Sequence, residues 1–216
     1  MDTEIGRLLG SLSPTVRANT WVIFIGDNGT PPQVVQQPFS NLHSKNTLYE
    51  GGVRVPFLVS WPAKLPAGTT FDQPVSSLDV FASALAAAGI AMPTDKKYDG
   101  VNLVPHLAGE AKTPPHERLF WRMPRKQSYA VREGNWKLIR TGETPPELYD
   151  LASDPSEKIN AAAANPEVAT RLTTALEEWR KELIPPVFPG SSVKNEDWGP
   201  GGANQKNAPP PKNAKP

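Results

Sequence analysis

Hydrophobic positions along the chain change rhythm twice. Near the start, Ile5, Leu8, Leu9 and Leu12 recur at the i, i+3, i+4, i+7 spacing of one helix face. This predicts a helix over residues 2–12, with Asp2 as its cap and Pro14 as its stop. Trp21-Val22-Ile23-Phe24-Ile25 is apolar without alternation, the pattern of a strand buried on both faces in a parallel sheet. A second strand is predicted over 55–60. A helix is predicted over 78–88, with Leu78, Phe81, Leu85 and Ala88 on its apolar face, Ser76 or Ser77 as cap and Gly89 at its end. A polar stretch with Pro31, Pro32 and Pro38 fills 30–46, and 91–117 lacks periodicity.

The second rhythm is short and strand-like. Runs near 118–123, 128–133, 136–141 and 147–150 are joined by tight turns such as Glu133-Gly134-Asn135, which predicts an antiparallel meander. A final helix begins near Pro166, with Val168, Leu172, Leu176, Trp179 and Leu183 as its stripe and Trp136 and Tyr149 as core partners in the sheet. Residues 185–216 are dominated by Pro, Gly, Asn and Lys and are expected to form a disordered tail. The fold class is therefore α/β: a partial, mainly parallel sheet with helices over 1–115, then an antiparallel sheet with a helix over 116–184.

Composition narrows the function. A net charge of +1 without blocks of like charge gives no reason to expect a nucleic-acid partner. No apolar run approaches the roughly 18 residues of a membrane span, and residues 1–20 carry no signal-peptide pattern. With no cysteine, disulfides and thiolate metal sites are excluded and the compartment stays open.

The candidate chemistry lies where the first strand ends. Asp27 and Asn28 would stand beyond a strand's carboxyl end, where open α/β sheets bind ligands, and they offer oxygen donors suited to a hard cation. Asp-Asn-Gly is equally good turn chemistry, so both readings stand on these residues alone.

Further blocks follow in order: Lys45-Asn46-Thr47-Leu48-Tyr49-Glu50-Gly51-Gly52-Val53-Arg54-Val55-Pro56, Leu78-Asp79-Val80-Phe81, Tyr98-Asp99-Gly100, Ala130-Val131-Arg132-Glu133-Gly134-Asn135-Trp136-Lys137 and Glu147-Leu148-Tyr149-Asp150. Together with Asp27-Asn28-Gly29 they resemble the carboxyl-terminal part of the sulfatase family, in the alkaline-phosphatase-like superfamily. The resemblance implies a sulfuric ester hydrolase with a calcium-assisted formylglycine mechanism. It makes Asp27 and Asn28 half of a calcium site and Lys45 a sulfate-binding residue; His43 could line the substrate pocket, though an exposed loop histidine explains it better. Arg122, Arg125 and Lys126 are candidates for the pocket border, though a solvated hairpin explains them better. Glu50 to Arg54 would shape a turn, with Arg54 pairing structurally, and His106 and His116 receive no role.

The family's formylglycine precursor has no counterpart here. Ser11-Leu12-Ser13-Pro14-Thr15-Val16-Arg17 has its Pro and Arg out of register. The expected protein is thus the last part of a sulfatase, inactive alone, whose intact form acts on a sulfated small molecule or glycan. A periplasmic or extracellular location would follow if an upstream segment carried a signal peptide. Two alternatives remain: a non-catalytic binding or interaction module derived from a sulfatase, and a phosphodiesterase or phosphonate hydrolase of the same superfamily. Asn28 speaks against the latter, since two-metal sites of that kind favour imidazole at this position.

Overall fold

The antiparallel meander is the structural centre of the chain, which a computed structural model describes over residues 1–123 and 126–185. Its strands are β3 (Leu119–Met123), β4 (Ser128–Glu133), β5 (Trp136–Thr141) and β6 (Glu147–Asp150), hydrogen-bonded in sequence order. The register places Val131 opposite Leu138 and Leu138 opposite Leu148. Because side chains alternate across a sheet, these three share one face, while Ala130, Ile139 and Tyr149 share the other. The helix Pro166–Lys181 covers the first face. Its Leu172 and Leu176 are fully buried against Val131, Leu138 and Leu148, flanked by Val168 and Trp179. Trp136 packs at the edge of this core and Phe120 stacks on Trp179 at 5.0 Å between ring centroids. Leu183, assigned to the stripe, lies beyond the helix end.

The other face is covered by the first part of the chain. Leu48 is buried against Ala130, Ile139 and Tyr149, with Tyr49 and Val53 beside it. The meander is therefore the middle layer between a helix and a loop, and that loop includes the candidate lysine's segment.

The first part holds a short helix Asp2–Gly10, another at Pro14–Ala18, strand β1 (Val22–Ile25), a one-turn helix Glu50–Val53, strand β2 (Phe57–Ser60), the helix Asp79–Ala87 and a one-turn helix Val104–Leu107. Several expectations are corrected. β1 and β2 pair antiparallel, with Phe24 opposite Leu58, whereas a mainly parallel sheet was expected. Parallel neighbours need a crossover that returns over the sheet; here residues 26–56 fold instead as a loop against the meander. Having one hydrogen-bonded neighbour among the described residues, β1 is not buried on both faces: Phe24 is 37% exposed. Asp2 lies inside the first helix, which Met1 precedes without a side-chain cap. Pro14 starts the second helix, and Ser13 caps it by accepting from the Val16 amide.

The helix Asp79–Ala87 faces opposite to its apolar stripe. Leu78 and Phe81 are exposed, whereas Asp79, Ala82 and Ser83 are buried. Asp79 decides this: its carboxylate accepts from the amides of Ser76 and Val101 and from His116 Nε2, at 2.7–2.9 Å. A carboxylate with three donors cannot turn outward without leaving them unpaired. Ser76 Oγ accepts from the Leu78 amide, and no side chain caps the helix in the expected manner. Gly89, at φ +70°, does end it. No helix among the described residues is long and apolar enough to cross a membrane. The expected tail lies outside the described residues from 186 onward.

Leu148 is fully buried in the layer that α-helical and strand residues share, so Leu148→Ala should cost about 2–5 kcal/mol. Leu8→Ala, at a position 60% exposed, should stay within about 0.5 kcal/mol. Urea unfolding of both variants checks this, and equal losses would contradict the assigned core.

Candidate functional site

The turn after β1 is built by close backbone contact. Gly26 donates to Pro56 O at 3.0 Å, Gly29 to Gly52 O at 3.2 Å and Thr30 to Gly51 O at 3.2 Å. Lys45 donates its amide to Thr30 O at 2.9 Å. A Cβ on Gly29 would fall inside contact distance of Gly51 O and Gly52 Cα, and one on Gly51 would collide with His43 O. Both positions require glycine for space rather than for a positive φ. The two glycine-bearing blocks of the sequence are thus two sides of one contact.

This contact brings Asp27, Asn28 and Lys45 to the same cleft. Asp27 and Asn28 are exposed and Lys45 is half-buried. The Asn28 amide nitrogen donates to Gly29 O at 3.0 Å, which leaves Oδ1 free, while the Asp27 carboxylate has no hydrogen bond among the described residues. A carboxylate and an amide oxygen suit a hard cation. They are only part of a shell, and no group of three or more His, Cys, Asp or Glu among the described residues could hold a metal ion. The cleft measures about 1960 Å³, larger than the roughly 300–1,000 Å³ of ordinary small-molecule pockets. Arg54, His106, His116 and Arg118 also line it.

His43 does not line this cleft. Its ring stacks on Tyr49 at 3.7 Å and its Nδ1 lies 3.4 Å from Ser156 O. Tyr49 and Tyr149 both donate to Glu147 Oε2. Burial, with the Glu147 charge beside them, raises both phenols above their ordinary range. Both therefore remain neutral donors.

Behind the loop lies a cluster of buried charges. Lys137 Nζ, fully buried, donates to Glu50 Oε1 at 2.8 Å and lies 3.0 Å from Glu157 Oε1. Glu157 Oε2 accepts from the Glu50 amide at 2.6 Å, and Arg132 approaches Glu50 Oε2 at 3.5 Å. Burial pushes both carboxyls up. For Glu50, Lys137 and Arg132 outweigh burial and hold it below the ordinary carboxylate value. For Glu157, burial outweighs its shared ammonium and the neighbouring Glu50 adds to the rise.

Sequence reasoning did not assign this cluster. Alternation places Lys137 on the same face as Ile139, and a lysine on an inward strand face requires a carboxylate partner; nothing local said which. Glu50 was read as a turn residue, yet it is that partner. His116, left without a role, holds Asp79. Arg54 is exposed and makes no ion pair among the described residues, contrary to expectation. Arg122 is half-buried and donates to Ile184 O at 2.7 Å, away from the cleft; Lys126 is exposed. Arg125 lies outside the described residues.

Comparison with known proteins adds independent findings. The family described as N-sulphoglucosamine sulphohydrolase, C-terminal, matches residues 40–182. The N-acetylgalactosamine-6-O-sulfatase of Bacteroides thetaiotaomicron is 31% identical over 205 residues, covering 82% of this chain and 40% of that protein. The crystal structure of Ps i-CgsB in complex with k-i-k-neocarrahexaose matches with a TM-score of 0.72 at 28% identity, covering 82% of this chain and 40% of that one. The phosphonate monoester hydrolase of Agrobacterium radiobacter matches at 0.60 and 25% identity, covering 83% and 38%. The chain spans about two fifths of the length of these relatives.

Gly51→Ala should destabilise the chain by about 1–3 kcal/mol, since the added carbon meets backbone that cannot yield. Thermal unfolding checks it, and an unchanged midpoint would contradict the contact. Glu157 gives a pH signature. Its raised folded value means that, above the ordinary carboxylate value, the folded state keeps a proton that the unfolded state has released, so its contribution to stability falls as pH rises. Glu50 acts in the opposite sense, its contribution being lost only as pH falls through its lowered folded value. Denaturant titrations from about pH 7 down to about pH 4.5, the reference carboxylate value, should therefore show the native chain gaining stability relative to Glu157→Gln. Parallel curves would contradict the assignment.

Proposed function

Since this chain belongs to the sulfatase family, we propose that it is the part of a sulfuric ester hydrolase that carries half of a calcium site and a sulfate-facing lysine. The reading rests on one observation. The turn with Asp27 and Asn28 is joined through Thr30 O to the Lys45 amide, at one cleft.

Asp27 and the free Oδ1 of Asn28 would hold the cation, which supplies positive charge against the sulfate oxygens. Calcium takes six to eight oxygens, so residues beyond these two are required. Lys45 would place its ammonium against the sulfate as a flexible point charge, stabilising the charge that develops during cleavage. His43 is better explained as an anchor of the loop through Tyr49 than as a substrate contact. The nucleophile would be supplied by another part of the enzyme. This chain has no cysteine, Ser11 Oγ is bonded to Leu8 O and Ser13 serves as a helix cap. Substrates of the whole enzyme would be sulfated small molecules or glycans, in keeping with the N-acetylgalactosamine-6-O-sulfatase relative.

The match to a phosphonate monoester hydrolase favours a second reading within the same fold. Asn28 separates the two, because an amide oxygen serves a hard cation better than a zinc-type site.

The 216-residue chain should not turn over an aryl sulfate, and calorimetry should show no tight calcium binding. In a longer polypeptide carrying this sequence, Asp27→Ala should lower kcat/KM for an aryl sulfate by about 10²–10³-fold. Retained activity in that variant would sink the assignment. A preference for an aryl phosphonate over the sulfate would move it to the second reading.

A further inference from the structure

We propose that Lys137 is a positioning residue, which through Glu50 and Glu157 fixes the register of Lys45 against the turn that carries Asp27 and Asn28. The proposal rests on the functional reading above for the role of Lys45, but its geometry stands apart from that reading.

The path is continuous. Lys137 projects from β5 on the meander face that the loop covers, and its ammonium is fully buried. Such a charge is tolerated only where carboxylates meet it, and Glu50 and Glu157 do so at 2.8 and 3.0 Å. Glu157 in turn accepts from the Glu50 amide, at the first residue of the one-turn helix Glu50–Val53. That helix presents Gly51 O and Gly52 O to the amides of Thr30 and Gly29, and Thr30 O receives the Lys45 amide. The sheet thus sets the helix, the helix sets the turn, and the turn sets the lysine. His43 and Tyr49 hold the same loop on its other flank, through Ser156 O and Glu147. Among the described residues, every long-range side-chain bond of residues 43–50 goes to the carboxyl-terminal half, to Arg132, Lys137, Glu147, Ser156 or Glu157.

An apolar residue at 137 would leave two buried carboxylates without their ammonium, and the loop is the part free to move away. The meander keeps its own core against the final helix. The loop should therefore open before the sheet does.

Amide hydrogen exchange on the 216-residue chain tests this without any sulfate ester or metal, so its outcome is independent of whether the chain serves a sulfatase. In Lys137→Met, the amides of Gly29, Thr30, Lys45 and Gly52 should exchange at least about tenfold faster, while those of Val131 and Leu138 change by less than about twofold. Unchanged loop protection, or the same acceleration in loop and sheet, would overturn the proposal. Should Lys137→Met not fold, Glu157 decides the matter. Glu157→Gln keeps an acceptor for the Glu50 amide and should retain loop protection, whereas Glu157→Leu removes it and should open the loop selectively. Equal behaviour of those two variants would also overturn it.

Discussion

The contact of Gly29 with Gly51 and Gly52 sets the geometry of the candidate site. Two backbone segments meet at a separation that no side chain permits. A geometry of this kind needs no strong interaction energy of its own. It works by exclusion: once Cβ atoms are absent, the amides of Gly29 and Thr30 reach the carbonyls of Gly52 and Gly51, and the turn has a single seat. Asp27 and Asn28 then line the cleft because their backbone is held on both sides; the pair's one side-chain hydrogen bond among the described residues is local, from Asn28 Nδ2 to Gly29 O.

That seat is itself supported from below. The meander has two unlike faces. One is apolar and covered by the final helix, where Leu172 and Leu176 complete a core of branched side chains. The other mixes Ala130, Ile139 and Tyr149 with the Lys137 charge cluster. A buried ion cluster adds little net stability, because desolvation offsets most of its attraction. Its value lies in specificity. An apolar face accepts a loop in many registers, whereas an ammonium between two carboxylates accepts one.

The first part of the chain leaves more apolar surface exposed. Phe24 and Leu58 form a cross-strand pair that remains exposed, and Leu78, Phe81 and Ile90 are exposed as well. Isolated exposed apolar residues are ordinary, but a paired strand face of this kind is a common mark of a contact surface. The chain spans about two fifths of its relatives' length.

Local pattern by itself determined the meander strands, the final helix with its stripe from Val168 to Trp179, and the glycine that ends the helix Asp79–Ala87. Each depends on period-two or period-3.6 spacing and on turn chemistry, which neighbours in sequence settle. Motif order was enough to place the chain in its family, and to bring Asp27, Asn28 and Lys45 forward together. What only tertiary structure decided were the antiparallel pairing of β1 with β2, the inverted facing of the helix at Asp79, the withdrawal of His43 onto Tyr49, and the partnership of Glu50 with Lys137. The reason is common to all four. Each involves a bond between groups far apart in sequence, from 22 residues for Asp79 and Val101 to 113 for His43 and Ser156. A buried polar group must find its partner wherever the fold provides one, and composition and spacing carry no record of where that is.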